Sequence, residues 1–474
     1  MAKKRKEFFE LPFTVDAPRL VNPALGVDRL LLSPQKSFDL EITLLDAPDH
    51  RLLRAGVTLA HRVKGGLGEW YLDAPDWQPW LPVDHVVQLG AAGDLPTDLA
   101  ELVRPFRRRS PLGPVAAVHQ ERQVFAIKDA DDVTLGTLRD EKITIRRGGV
   151  TTARYRETTL EAGPVMTAAQ RRFLGDGLMA VGGVRVDEFP DPMHRLGAPG
   201  SGLSDFPEPR EYDSSTSLEV FVSSLFAARL RAVMRADLAL RASELARQAR
   251  VAAAERAGEP TSEAARSAEP VFSELETLGV QLRALAGVLE PGWRERLETD
   301  LASLTGSDRT VSVTQLDDRY FRVLDALVTA VRAPQLGDFS NQKAGEVLQR
   351  QAHAGLGILA SRITRLTPEA PLEQWSGARA AAQQLLIGVE GVGTLFGKRG
   401  KRLRKRLRGL VDRLEPCVVP VAEPTADELA ALDGATAYRR GLEAADATRA
   451  RRQARSEFIN DWPKLRGKLA DRGL

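Results

Sequence analysis

Cysteine is nearly missing from this sequence: Cys417 stands alone among 474 residues. One thiol excludes an intramolecular disulfide and any site built from several thiolates. Histidine is scarce as well, with six residues at 50, 61, 85, 119, 194 and 353 and no pair at close helical spacing, which disfavours zinc chemistry. No apolar run approaches the roughly 18 residues needed to span a bilayer, so no membrane partner is expected. The basic start Met1-Ala2-Lys3-Lys4-Arg5-Lys6 runs into Glu7 rather than an apolar core, which argues against a secretory signal and for cytoplasmic residence. Charge of one sign is also lacking overall. The net charge is only +3, so any affinity for polyanions must come from a local patch.

What is present suits a soluble globular protein, with 43% hydrophobic and 28% charged residues. The length exceeds one ordinary core, and two domains are expected. Residues 1–189 carry short alternating segments such as Leu40-Glu41-Ile42-Thr43-Leu44 and Ile143-Thr144-Ile145 between Gly, Pro and Asp, as strands require. Helices are expected over Leu95–Phe106 and over Thr167–Val181, the latter opened by a Thr167 cap. Residues 190–215 are rich in Pro, Gly, Asp and Ser and read as a linker. Residues 216–474 show apolar residues at i, i+3 and i+4, for example Leu278, Leu282 and Leu285, and should form packed helices, with an interruption near Val251–Pro270.

Three segments carry a family resemblance. Leu45-Asp46-Ala47-Pro48-Asp49-His50-Arg51-Leu52-Leu53-Arg54-Ala55-Gly56-Val57-Thr58-Leu59-Ala60-His61-Arg62, then Gly68-Glu69-Trp70-Tyr71-Leu72, then Tyr155-Arg156-Glu157-Thr158-Thr159-Leu160-Glu161, resemble in order and spacing the strands of the CYTH family of triphosphate tunnel enzymes. The second half resembles the CHAD family of polyphosphate-binding helical domains. That likeness rests on Phe272–Leu285, on Trp375–Lys398 and on the closing Phe458–Arg466. The two resemblances imply an α+β multidomain chain: an antiparallel β-barrel of the triphosphate-tunnel type, followed by an all-α helical bundle of two pseudo-repeats.

The chemistry implied by the first resemblance is eroded. A tunnel triphosphatase needs carboxylates for a hard cation and several cations around the phosphates. The carboxylates that remain in register are Glu10, Glu157 and Glu161, the candidate ligands for Mg or Mn if any hydrolysis persists. Phe8, Pro12 and Thr159 stand where acids or a lysine belong, Asp73 replaces a phosphate-binding lysine, and His61 takes another basic position. Candidate phosphate-binding residues are Arg54, Arg62, Arg122 and Arg156, with salt bridging to barrel glutamates as the plainer alternative. An outward solvated face is the alternative for Glu157 and Glu161. Asp140 and Glu141 match a family acidic pair, but a turn role is favoured.

In the helical half the family histidines fall on Ser273 and Ser376, while Arg283 and Arg379 are retained. The dense basic run is Lys398, Arg399, Lys401, Arg402, Arg404, Lys405, Arg406 and Arg408, with Leu403, Leu407, Leu410 and Leu414 forming one apolar stripe. It is either a solvated amphipathic face or an anion-contact surface. The sequence therefore points to a degenerate, non-catalytic protein that binds inorganic polyphosphate or another polyanion, or acts as a scaffold for another protein, and needs no cofactor. A metal-dependent triphosphatase or polyphosphatase is the alternative. Nucleic acid as the partner of residues 398–408 is disfavoured, since no aromatic stacking platform accompanies them.

Overall fold

The computed structural model describes residues 6–81, 85–88, 94–190, 195–197, 202–258, 267–305, 316–392, 395–420 and 432–470. The chain forms two compact units, Met1–Pro207 with Met234–Arg266, and Glu208–Val233 with Ser267–Leu474.

In the first unit the strands are β1 (Lys6–Leu11), β2 (Arg29–Leu32), β3 (Phe38–Asp46), β4 (Thr58–Lys64), β5 (Leu67–Asp73), β6 (His85–Gln88), β7 (Gly113–Lys128), β8 (Thr134–Arg147), β9 (Val150–Ala162) and β10 (Val184–Val186). They form one antiparallel sheet in the order β10-β1-β9-β8-β7-β3-β4-β5-β6, with β2 paired to β7. Its tight turns follow from glycine pairs. Gly65-Gly66 between β4 and β5, and Gly148-Gly149 between β8 and β9, all have positive φ (57°, 80°, 53° and 81°), as a two-residue turn matched to strand twist demands.

The expected barrel is not closed: among the described residues β10 and β6 end the sheet and do not pair with each other. Closure needs a continuous ladder between the two edges, and here they are strands of three and four residues. The sheet is nevertheless strongly curled. Lys6 of β1 and Lys64 of β4 line the same cavity, although five strand steps separate them, about 24 Å in a flat sheet.

The helices of this unit are α1 (Arg51–Arg54), α2 (Thr97–Leu102), α3 (Arg104–Arg107) and α4 (Ala168–Ala180). The helix expected over Leu95–Phe106 is split in two at Val103, because Pro105 brings no N–H to continue the ladder and occupies the first turn of α3. Thr167 caps α4, and its hydroxyl and the Gln170 side chain form a reciprocal capping box. On the convex side Phe9, Leu11, Leu138 and Leu160 pack with Leu174 and Leu178 of α4.

Part of the stretch 190–215 packs into this unit. Asp205 and Phe206 are almost fully buried, and Phe206 sets its ring edge-on to Trp77 and Phe106 at 5.4 and 5.7 Å.

The second unit is helical: the first part of α5 (Leu218–Ala257), then α6 (Glu269–Ala284), α7 (Pro291–Thr305), α8 (Asp318–Arg332), α9 (Ala344–Thr364), α10 (Leu372–Val392), α11 (Gly397–Leu414) and α12 (Gly434–Ala470). Residues 234–257 of α5 belong to the first unit. The interruption expected near Val251–Pro270 begins later than read, since α5 runs on to Ala257; residues 259–266 lie outside the described residues. Trp375, Leu385 and Val389 of α10, the leucine stripe of α11, and Phe458 and Trp462 of α12 make one core.

Candidate functional site

Side chains alternate between the two faces of a strand, so each strand of the curled sheet sends every second residue to the concave side. From β1 these are Lys6, Phe8 and Glu10; from β9, Tyr155, Glu157, Thr159 and Glu161; from β8, Arg139, Glu141 and Ile143. From β7 they are Gln120, Arg122 and Val124; from β3, Phe38, Leu40 and Ile42; and from β4, Arg62 and Lys64. This face has three zones.

The first zone is a basin of about 520 Å³, lined among others by Lys6, Lys36, Lys64, Arg122 and Arg139, with Glu161 as its one lining carboxylate. Its aromatic wall is Phe38, which carries the Arg122 guanidinium at 4.4 Å and the Lys64 ammonium at 4.9 Å over its ring. Lys6 approaches Glu161 only to 3.8 Å, with both side chains about half exposed, so that pair neutralises little.

The second zone is a row of acids. Glu10 lies opposite Glu157, and Glu157 lies opposite Glu141, on the neighbouring strands β1, β9 and β8. Arg195 donates to Glu10 at 2.7 Å and approaches Glu157 at 2.9 Å, with its guanidinium 3.9 Å over the Tyr155 ring. Glu141 accepts from Arg122 and, at 2.9 Å, from Gln120, and Arg139 stands 3.2 Å away. Burial raises the Glu157 carboxyl above its ordinary range; Arg195 pulls it down, and Glu141 and Glu10 push it up again. Burial likewise takes the Tyr155 phenol up to about 12, helped by Glu157.

The third zone is apolar. Leu196 is buried among Leu44, Ala60, Ala116, Ile143 and Ile145. Residues 195 and 196 thus cap one end of the concave face and leave the basin at the other.

Of the four arginines expected around phosphate, Arg62 and Arg122 reach this face, the former paired with Glu69. Arg54 and Arg156 do not. Arg54, on α1, joins Asp49 at 3.2 Å and Asp205 at 3.1 Å. Arg156 points to the convex side, where it holds Asp140 at 2.5 Å and the Val15 carbonyl at 2.6 Å. The strand parity of residue 156 is opposite to that of 155 and 157, which decides its side. His61 is convex too, with its ring 5.2 Å from Trp70. Asp73 ends β5 opposite Thr58. The turn role expected for Asp140 and Glu141 is not what they do: both lie in the middle of β8, one on each face.

The residues expected to hold Mg or Mn do not fit that task. Glu10 and Glu157 already share the Arg195 guanidinium, and Glu161 lies about 13 Å along the strand from Glu157, turned to Lys6. Among the described residues no group of three or more His, Cys, Asp or Glu is placed to hold a metal ion. The expectations from sequence missed Lys6, Lys36, Lys64, Arg139 and Arg195, and gave Glu141 to a turn. Alternation within Lys6-Glu7-Phe8-Phe9-Glu10 and Arg139-Asp140-Glu141 was a usable signal; nothing local marks Arg195.

No family model matches the chain. No curated protein matches it. Among solved structures it is similar to a "putative adenylate cyclase" from Bacillus halodurans, with a TM-score of 0.22 and 13% identity over 35% of this chain and 86% of that one.

In the second unit the basic run lies on α11. Leu403, Leu407, Leu410 and Leu414 are buried, while Lys398, Arg399, Lys401, Arg402, Arg404 and Lys405 are exposed. No carboxylate among the described residues pairs with these six. Arg408 is paired with Glu390, Arg406 donates to the Lys468 carbonyl, and Arg379 is paired with Glu415. Arg283 and Arg362 stand at a largely apolar groove of about 650 Å³ between α6, α9 and α10, whose walls include Leu348, Ile358, Leu385 and Val389. That lining does not suit a chain of phosphates.

Proposed function

We propose that this protein binds inorganic polyphosphate or a related oligophosphate without hydrolysing it. The observation that carries this reading is the convergence of Lys6, Lys36, Lys64, Arg122 and Arg139 on one basin with Glu161 as its single lining acid. Arg122 and Arg139 share the Glu141 carboxylate, so the excess positive charge of the basin rests on Lys6, Lys36 and Lys64; gathering these cations in a concavity costs Coulomb energy, and a multiply charged anion relieves it. The volume of about 520 Å³ suits a short phosphate chain, and the capped far end favours a chain terminus over a threaded polymer.

The six exposed cations of α11 offer a second contact for longer polymers, held by counterion release. Descent from a triphosphate-tunnel enzyme joined to a CHAD-type domain is consistent with an antiparallel sheet followed by helices, and the pseudo-repeat of the helical half belongs to the same proposal. Hydrolysis is disfavoured because the carboxylates that would bind metal are neutralised by Arg195.

Calorimetric titration with tripolyphosphate tests the reading. The unaltered protein should bind one equivalent, and changing Lys36 and Lys64 together to glutamine should weaken binding about tenfold or more. Unchanged affinity in that variant would remove the basin from consideration. If polyphosphate of many residues binds while tripolyphosphate does not, the ligand lies on α11.

A further inference from the structure

We infer that Arg195 is a resident cation standing in place of a divalent metal, so that the glutamate row of this protein is closed to metal until Arg195 is removed. Three carboxylates opposite one another on adjacent strands are mutually destabilising, since strand neighbours lie only about 4.8 Å apart. The fold must bring a positive charge to them. It does so with Arg195, which joins Glu10 at 2.7 Å and Glu157 at 2.9 Å at once.

Two contacts hold that guanidinium in place. Its flat face lies 3.9 Å over the Tyr155 ring, itself part of β9, and the next residue, Leu196, is buried among the apolar side chains of β3, β4, β7 and β8. Arg195 is therefore anchored from two sides and loses little further freedom by pairing. A divalent cation would have to displace it, shed water, and reach the same two carboxylates. Glu141, the third member of the row, is drawn away by Arg122 and Gln120, so in the present arrangement the three do not converge. Without Arg195, Glu10 and Glu157 would face each other with no cation bridging them, and Glu141 on the next strand would be a third oxygen donor, a ligand chemistry suited to a hard cation.

The test uses Mn2+ alone, followed by calorimetry and by the loss of its free-ion paramagnetic resonance signal. The full-length protein should take up no Mn2+ at this row. Arg195→Ala should bind one Mn2+ per chain about tenfold or more tightly than the unaltered protein, and Arg195→Ala with Glu157→Gln should lose that gain. Arg195→Lys, which keeps a tethered charge, should stay metal-free. Arg195→Gln, which retains packing on Tyr155, serves if the alanine variant does not fold by circular dichroism. Uptake by the unaltered protein as tight as by the variants, or folded Arg195→Ala and Arg195→Gln proteins that bind no Mn2+, would overturn the inference. Its readout is independent of phosphate, so it can fail while tripolyphosphate still binds the basin, or hold if tripolyphosphate does not.

Discussion

Asp205 and Arg108, 97 residues apart in sequence, meet as a buried ion pair at 2.5 Å, with both side chains 3% exposed or less. Arg54 adds a second guanidinium to the same carboxylate at 3.1 Å. Breaking a buried pair from one side costs about 3–5 kcal/mol, because the remaining charge is left in the interior. Asp205→Ala should therefore lower the stability of the first unit by roughly that amount in a urea titration followed by tryptophan fluorescence, Trp77 lying against the neighbouring Phe206. A loss below about 0.5 kcal/mol would mean that the two arginines find other partners.

Asp46 makes stability depend on pH. Burial pushes its carboxyl from 3.8 up to about 6, although the backbone N–H groups of Leu53, Leu52 and Ala47 pull the other way. The folded chain then holds this proton more tightly than the unfolded one. Its contribution is full below about pH 4 and is lost as the pH rises through about 6, a change on the order of 2–3 kcal/mol. Asp46→Asn should flatten that part of the stability profile, measured by chemical denaturation at a series of pH values, whatever its effect on absolute stability.

Cys417 should be inert in the folded protein. It is buried, and burial raises its thiol to about 11, so very little thiolate exists near neutral pH. A thiol reagent should label it only after denaturant is added. Labelling at the rate of a free thiol under native conditions would show that the 3-10 turn Glu415–Cys417 opens readily.

The cationic face of α11 predicts a salt-dependent affinity for long polyphosphate. Lys401, Arg402, Arg404 and Lys405 are exposed, while the leucines that hold the helix are not among them. Changing these four to glutamine should leave circular dichroism intact and reduce the slope of log affinity against log salt by about 3. An unchanged slope would leave α11 as a solvated helix face.

Hydrolysis of tripolyphosphate or ATP with Mg2+ or Mn2+ should be absent or marginal, since Arg195 already neutralises Glu10 and Glu157. Phosphate release on the order of 1 per second, lost on Glu157→Gln, would restore the enzymatic alternative.

Much of the local architecture was legible. The alternation in Leu40–Leu44 and Ile143–Ile145 belongs to β3 and β8, Thr167 caps α4, and the leucines at 403, 407, 410 and 414 are the buried stripe of α11. These are properties of a few neighbouring residues, so period and cap chemistry suffice to reveal them. The site was less legible. Arg54 and Arg156 looked equivalent to Arg62 and Arg122 by residue type, yet one sits on a short helix and the other on the convex side of β9. Asp140 and Glu141 read as a turn because acids favour turns, but the long hairpin of β8 and β9 carries them through its middle.

What the sequence determined by itself was the order of extended and helical segments, the glycine pairs that turn β4 into β5 and β8 into β9, and the single dense cationic helix, since each depends on residues adjacent in the chain. What only the tertiary structure decided was which charges meet. Pairing of β1 with β9 and of β9 with β8 aligns Glu10, Glu157 and Glu141, and curling of the sheet brings Lys6 to Lys64 across four intervening strands. Arg195 reaches Glu10 from 185 residues away. Coulomb energy depends on distance through space, and no spacing along a chain encodes it until register and curvature have been set.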